Sequence, residues 1–276
     1  MQGVPVFFKK KPVLMKRCIL ISFAVLILAP VVHAQNNTPI AVTGFNHDLV
    51  ANGTGWASGS TTTSFDHSYN NNVFYVEGFG SGQYGLPADG SIVSDANPEN
   101  SYQLAGYDGP NSLLIIGTNS GSLHLRRPGR FTDISFLASS AQGVSQLSVI
   151  LHYTDGTHDE VLTGVSLPDW FHDGPNIAIQ GLGRVERNNN VFDDRYPNPK
   201  IFEFLIPDVD PEKVLERITF DKITDGGSRA GIFAISGNRL PPPVPFSGSV
   251  IPLVLLLMLC WILSSFSRRT FPVVRA

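Results

Sequence analysis

The sequence predicts an all-β chain, a single antiparallel β-sandwich of jelly-roll type flanked by an export signal and a membrane-spanning segment. Three observations carry the prediction. Apolar and β-branched residues gather in short runs, turn-forming groups punctuate those runs, and no window sustains the 3.6-residue apolar period of an amphipathic helix. About 200 residues of short strands without helical crossovers favour two packed antiparallel sheets over a parallel one.

In chain order the expected strands are Val73–Val76, Ser112–Ile116, Leu123–Leu125, Phe131–Leu137, Gln146–Tyr153, Glu160–Val165, Ile201–Ile206, Leu215–Phe220 and Gly231–Ile235. Ala88-Asp89-Gly90, Tyr107-Asp108-Gly109-Pro110, Thr154-Asp155-Gly156 and Thr224-Asp225-Gly226-Gly227 separate them as turns. The strongest local signal is Thr154-Asp155-Gly156 between two β-rich runs, because the Asp-Gly pair supplies the positive φ of a tight hairpin. Pro207 to Arg217 has room for one helical turn at most. The Gly/Ser/Thr/Asn-rich stretch Ala51–Gly90 and the polar excursion Leu167–Pro199 read as long loops.

The two ends differ in kind from this body. Residues 1–34 read as a signal peptide: Lys9, Lys10, Lys11, Lys16 and Arg17 precede an apolar stretch, Cys18–Ala29, too short to span a bilayer. Val32-His33-Ala34 offers signal peptidase a cleavage point after Ala34, and Met15 is an alternative start that gives a more compact leader. Residues 35–240 form the sandwich ectodomain and 241–249 a Pro-rich linker. Residues 250–267 form a transmembrane helix and 268–276 a basic tail. The apolar run Val250–Phe266 is about 26 Å long as a helix, and Arg268-Arg269 behind it would stay cytoplasmic, leaving the body outside.

Setting the ends aside changes the charge balance. Five of the 20 basic residues lie in the leader and three follow the apolar run, so twelve oppose 23 acids in the body, a net charge of −11. Such a body is a poor partner for nucleic acid, whose phosphates demand clustered Lys and Arg. Both cysteines, Cys18 and Cys260, fall in the end segments, which leaves the body without disulfides or thiolate metal sites.

From Pro243 to Arg269 the chain resembles the PEP-CTERM-type sorting signals that exosortases process. It has a short Pro-containing motif (Val244-Pro245-Phe246-Ser247), an apolar helix and an arginine cluster, although Pro-Glu-Pro itself is absent and the tail runs past Arg269. The resemblance implies sorting to the bacterial envelope or surface, with Pro245, Arg268 and Arg269 as processing residues. From Tyr102 to Gly237 the body resembles galactose-binding-type jelly rolls. The features that carry this are Asn111-Ser112-Leu113-Leu114-Ile115, Tyr153-Thr154-Asp155-Gly156, Asp169-Trp170 and Gly231–Gly237. That resemblance implies a carbohydrate-binding module, with polysaccharide as the partner.

Pro168-Asp169-Trp170-Phe171-His172-Asp173-Gly174 is the leading binding candidate. An aromatic face suits the apolar side of a pyranose, and carboxylates suit its hydroxyls. The competing reading puts Trp170 at the core's edge and has Asp169 hold loop amides. Arg184, in the same excursion as Arg187 and Asp193-Asp194-Arg195-Tyr196, either grips a ligand or pairs an aspartate. Tyr84 and Trp56 are aromatic candidates in the first loops.

Chemistry is sparsely written. There is no Gly-x-Ser-x-Gly elbow and no His-Glu-x-x-His, and Gly78–Gly85 lacks the lysine and following helix of a phosphate loop. The pairs Asp155/Asp159 and Asp169/Asp173 would serve a glycosidase only if held about 5–10 Å apart across a cleft. Asp193-Asp194 and Asp208-Val209-Asp210 offer oxygens for a structural calcium ion. The expectation is a non-catalytic, exported glycan-binding protein without a cofactor. A structural surface protein without a ligand is the alternative, and a hydrolase the more remote one.

Overall fold

The computed structural model describes residues 37–67, 71–194 and 198–242. The expected cleavage point at Ala34, Pro245, the apolar run and Arg268-Arg269 lie outside the described residues, as do Arg195 and Tyr196. No helix among the described residues is long and apolar enough to cross a membrane.

The strands in chain order begin with β1 (Thr38–Pro39), β2 (Val42–Thr43), β3 (Val50–Ala51), β4 (Asn72–Tyr75), β5 (Ser91–Val93) and β6 (Ser101–Gln103). Next come β7 (Leu113–Ile116), β8 (Ser120–Gly129), β9 (Phe131–Ala141), β10 (Ser145–Tyr153), β11 (His158–Leu167) and β12 (Ile177–Ile179). The last are β13 (Arg184–Glu186), β14 (Phe192–Asp193), β15 (Ile201–Ile206), β16 (Leu215–Lys222) and β17 (Arg229–Arg239). One helical turn, α1 (Ala57–Ser60), is the only helix among the described residues, and it lies in the first loop region rather than between Pro207 and Arg217.

Two larger sheets share one apolar core. The first has the order β1-β17-β9-β15-β12, with β7 also on β17; the second has the order β11-β10-β16-β8-β2. The second sheet shows the expected alternation. Leu147, Val149, Leu151 and Tyr153 of β10 and Leu123 and Leu125 of β8 point inward, while His124 and Arg126 face solvent. The Asp155-Gly156 hairpin joins β10 to β11 as expected: Gly156 has φ +85 and Asp155 Oδ1 accepts the Thr157 N–H at 2.9 Å.

The chain is nearly all β, but two sheets do not account for it. β9 and β17 are buried on both faces. Phe136 and Ile232 enter the first core, while Leu137, Phe233 and Ala234 enter a second one on the far side of their sheet. Leu49, Phe65, Phe74, Leu86, Ile92, Tyr102, Trp170 and Leu182 close that second core. Phe65, Leu86, Trp170 and Leu182 come from the two stretches read as loops, and the rest from an expected strand or from segments beside them; two further sheets, β14-β13-β4-β3 and β5-β6, lie in this part of the chain. One contact there departs from the antiparallel rule, since β3 pairs parallel with β4. A third small core of Ala51, Ala57, Val73, Tyr75, Phe79 and Val185 underlies the β14-β13-β4-β3 sheet.

Polar groups fasten this added layer. Glu203 of β15, 6 % exposed, accepts hydrogen bonds from Ser94 and Asn100, and the Tyr102 hydroxyl lies 2.9 Å from its Oε1. Asp48 accepts from the Val50 N–H at 3.2 Å and from Asn111 Nδ2 at 2.5 Å. Burial pushes the Asp48 carboxyl up to about 6, and the two donors only partly oppose that.

Candidate functional site

The candidate site forms where the chain leaves β11 and crosses the edge of the first sheet. Ser140 of β9 brackets the crossing: its N–H donates to the Pro168 carbonyl at 2.9 Å, and its carbonyl accepts from the Trp170 N–H at 2.6 Å. Asp169 completes the turn. Its Oδ2 accepts from the Gly143 N–H at 2.6 Å and its Oδ1 from the Phe171 N–H at 2.9 Å. The aspartate thus joins the 141–144 connection to the 168–172 segment, the loop-amide role that sequence reasoning had set beside ligand binding.

Trp170 does not serve as a binding platform. It is 0 % exposed, with its ring edge-on to Phe74 at 4.7 Å and to Phe65 at 5.1 Å. An indole enclosed on all sides presents no face to a sugar, so the expectation of an exposed Trp170 is corrected. The covering layer explains why: Phe65 and Phe74 close over a ring that the competing reading had set at the core's edge. The indole N–H finds no hydrogen-bond acceptor among the described residues.

Phe171 and Arg184 do come together. The Arg184 guanidinium lies over the half-buried Phe171 ring, 4.1 Å from its centroid. Its Nε and Nη2 donate to Asp193 Oδ2 at 2.9 and 2.8 Å, and its Nη1 is 3.6 Å from Asp66 Oδ2. Arg184 is therefore a paired, stacked arginine, with two of its five N–H donors on Asp193. Asp66 also faces Arg229, whose guanidinium is lowered by burial and partly restored by that carboxylate.

These residues line a cleft of about 560 Å³ bounded by Asp66, Gln142, Gly143, Asp169, Phe171, His172 and Arg184. Gln142 reaches it from a left-handed backbone, φ +62, which the short connection between β9 and β10 imposes. Sequence reasoning missed Gln142 and Asp66. The Gln142-Gly143 pair between two β runs was a usable turn signal for the first, but Asp66, more than 100 residues from Phe171 in sequence, gave none.

Tyr84 and Trp56 lie elsewhere. Tyr84 is 40 % exposed and outside the cleft, and it meets the Arg184 segment only by its backbone, its carbonyl accepting from the Gly183 N–H at 2.7 Å. Trp56 is 57 % exposed beside α1, whose first N–H is capped by Asn190 Oδ1 at 2.7 Å. The expected carboxylate pairs are also engaged locally. Asp173 faces Lys200 Nζ at 3.3 Å, Asp159 faces Lys213 Nζ at 3.4 Å, and Asp155 is spent on its own hairpin.

Three of the four aspartates considered for calcium, Asp193, Asp194 and Asp210, already accept from protein donors. Asp194 accepts from the Tyr75 hydroxyl at 2.5 Å and from the Gln83 N–H at 2.9 Å, and Asp210 Oδ1 accepts from the Glu212 N–H at 2.9 Å. Burial and the Asp194 carboxylate push the Tyr75 hydroxyl well above its ordinary range. Among the described residues no group of three His, Cys, Asp or Glu side chains is placed to hold a metal ion.

No family model matches the sequence, and no curated protein matches it. Among solved structures, a mutant of the family 29 carbohydrate-binding module CBM29-2 complexed with mannohexaose is similar at 15 % identity and a TM-score of 0.27, over 56 % of this chain and 85 % of that one. Two further mutants of that module give 14 % identity and TM-scores of 0.28, over 59 % of this chain and 94 % of theirs. Scores this low do not establish a shared fold and assign no ligand contact to this chain.

Proposed function

We propose that the protein is an exported, non-catalytic β-sandwich that binds extracellular or envelope carbohydrate. In this reading its C-terminal apolar run holds it at the membrane or is removed by a sorting enzyme. Jelly-roll connectivity is part of the reading: the chain crosses repeatedly between the larger sheets, with β8, β10, β11 and β16 in one and β9, β12, β15 and β17 in the other. The observation that carries the functional part is the cleft in which Phe171 and Arg184 form a flat stacked wall beside Asp66, Asp169, Gln142 and His172. A carboxylate has room for about four hydrogen bonds, and Asp169 uses only one on each oxygen within the protein, so acceptor capacity remains for sugar hydroxyls.

The test is thermal-shift and calorimetric titration of the full chain with a panel of neutral and uronate-containing oligosaccharides, repeated on His172→Ala and Phe171→Ala. Binding that weakens in both variants supports the reading. A flat response over the whole panel removes it. A second reading, a structural surface protein without a ligand, is favoured by the enclosure of Trp170 and the pairing of Arg184 with Asp193. It predicts that flat response. Fractionation and intact mass of the native protein address the tail: a product ending near Pro245 supports sorting, whereas a retained 250–267 segment in the membrane fraction supports a plain anchor.

A further inference from the structure

Four of the body's twelve basic residues, Arg126, Arg127, Arg130 and Arg239, converge where the described chain ends. β8 carries Arg126 and Arg127, the turn into β9 carries Arg130, and Arg239 closes β17 opposite Phe131. Arg239 donates to the carbonyls of Arg127 at 2.5 Å and Pro128 at 3.1 Å while its guanidinium lies 4.8 Å from the Phe131 ring centroid. Arg130 Nη2 donates to the Pro241 carbonyl at 3.2 Å. These contacts fix the exit strand to the β8–β9 turn, so the cationic groups and the outgoing chain share one end of the domain.

Carboxylates do little to neutralise the group. Arg130 meets Glu212 at 3.6 Å, and that glutamate's side chain is 82 % exposed; Asp133 on β9 accepts a bond from Thr132 instead. Arg126 and Arg127 are exposed, and the Arg127 guanidinium makes no hydrogen bond among the described residues. Arg126, Arg127 and Arg239 form one wall of a cleft of about 480 Å³. On a body of net charge −11, a cationic end is a strong departure from the average surface.

We propose that this arginine end is a membrane-facing surface that seats on the phosphates of anionic lipids. The proposal rests on the anchored reading of the C-terminal run. Residues 243–249 reach at most about 25 Å when extended, so an inserted run Val250–Phe266 holds the exit end close above the headgroups. Guanidinium groups bind phosphate oxygens through paired N–H donors, and clusters of this size next to a spanning segment draw the surface towards anionic lipid. The acidic remainder of the body is repelled by the same surface, which orients the domain with the arginines down.

Hydrogen exchange of the full chain on phosphatidylcholine vesicles, and on the same vesicles doped with phosphatidylglycerol, tests this. Residues 125–131 and 237–240 should exchange more slowly on the anionic vesicles, by about five-fold for each arginine engaged, while the distant 154–157 turn does not change. High salt should abolish the difference, and the double variant Arg126→Gln/Arg127→Gln should cut it by about 25-fold. Alkaline carbonate extraction, run in parallel, reports on the anchor separately: a chain that is extracted yet keeps the lipid-dependent protection upholds the arginine surface and refutes the anchor. Equal exchange on both vesicles, extracted or not, overturns the proposal. So does stronger protection by a soluble polyuronate than by the anionic vesicles.

Discussion

Trp170→Ala separates a packing residue from a binding residue. The indole is fully enclosed and makes two edge-on aromatic contacts, with Phe65 and Phe74. Truncation of an enclosed aromatic to alanine costs about 3–5 kcal/mol, and the lost ring pairs, about 0.5–1.5 kcal/mol each, place this site in the upper part of that range. With a urea slope of about 2 kcal/mol/M, a loss of 4 kcal/mol lowers the denaturation midpoint by about 2 M. Trp170→Phe should behave differently. It gives up some volume but also removes an indole N–H that has no acceptor among the described residues, a burden of about 1–3 kcal/mol. The two effects offset, and the phenylalanine variant should stay within about 1–2 kcal/mol of the parent. Urea melts followed by far-ultraviolet circular dichroism give all three midpoints. If alanine at this position left the midpoint unchanged and abolished saccharide binding, the indole would be a contact surface and the packing argument would be refuted.

Asp48→Asn tests the buried carboxylate. Its folded value, about 6, lies above the ordinary 3.8, so the stabilisation it allows is complete below the unfolded value and declines as pH rises through about 6. The variant keeps an oxygen acceptor for Val50 and Asn111, so it should match the parent near about pH 4 and melt higher at about pH 7.5, by about 2–4 °C per kcal/mol relieved. Arg184→Lys gives up the forked contact with Asp193 and the flat stack on Phe171, and calorimetry should show a loss of about 1–3 kcal/mol despite the retained charge. Gly156→Ala meets no steric contact, yet φ +85 alone should cost about 1–2 kcal/mol in a chemical melt.

The nine strands expected from sequence are all present, because each carries local evidence of its own, a short apolar or alternating run bounded by turn-forming residues. What escaped notice depended on partners far along the chain. β3, β13 and β14 are two- or three-residue strands that exist only because Phe74, Val185 and Phe192 find neighbours across the added layer. One clue to that layer was in plain view. Ile232-Phe233-Ala234-Ile235 is a continuous apolar run, not an alternating one, and a strand so composed is buried on both faces. The same layer turns Trp170 from a residue at the core's edge into an enclosed one, with surroundings from residues 65 and 74. Arg184 was legible as a pairing residue because Asp193 lies nine positions away. Its stacking on Phe171 depends on how two loops fold back together, which spacing does not encode.

If the chain is exported as proposed, the place of β17 bears on how it reaches its native state. β17 lies between β9 on one side and both β7 and β1 on the other, and its two faces contribute to both main cores. A chain threaded outward from its N-terminus delivers this strand after every other one. Until Arg229–Arg239 arrives, the hydrogen-bonding edges of β9 and β7 are unpaired and the apolar faces of β4 and β6 have little to rest on. Folding of the body therefore waits on the final strand, only ten residues before the apolar run begins. Retention of that run in the bilayer would hold the late strand beside its own nascent domain, so that completion of the fold becomes a local event at the point of exit.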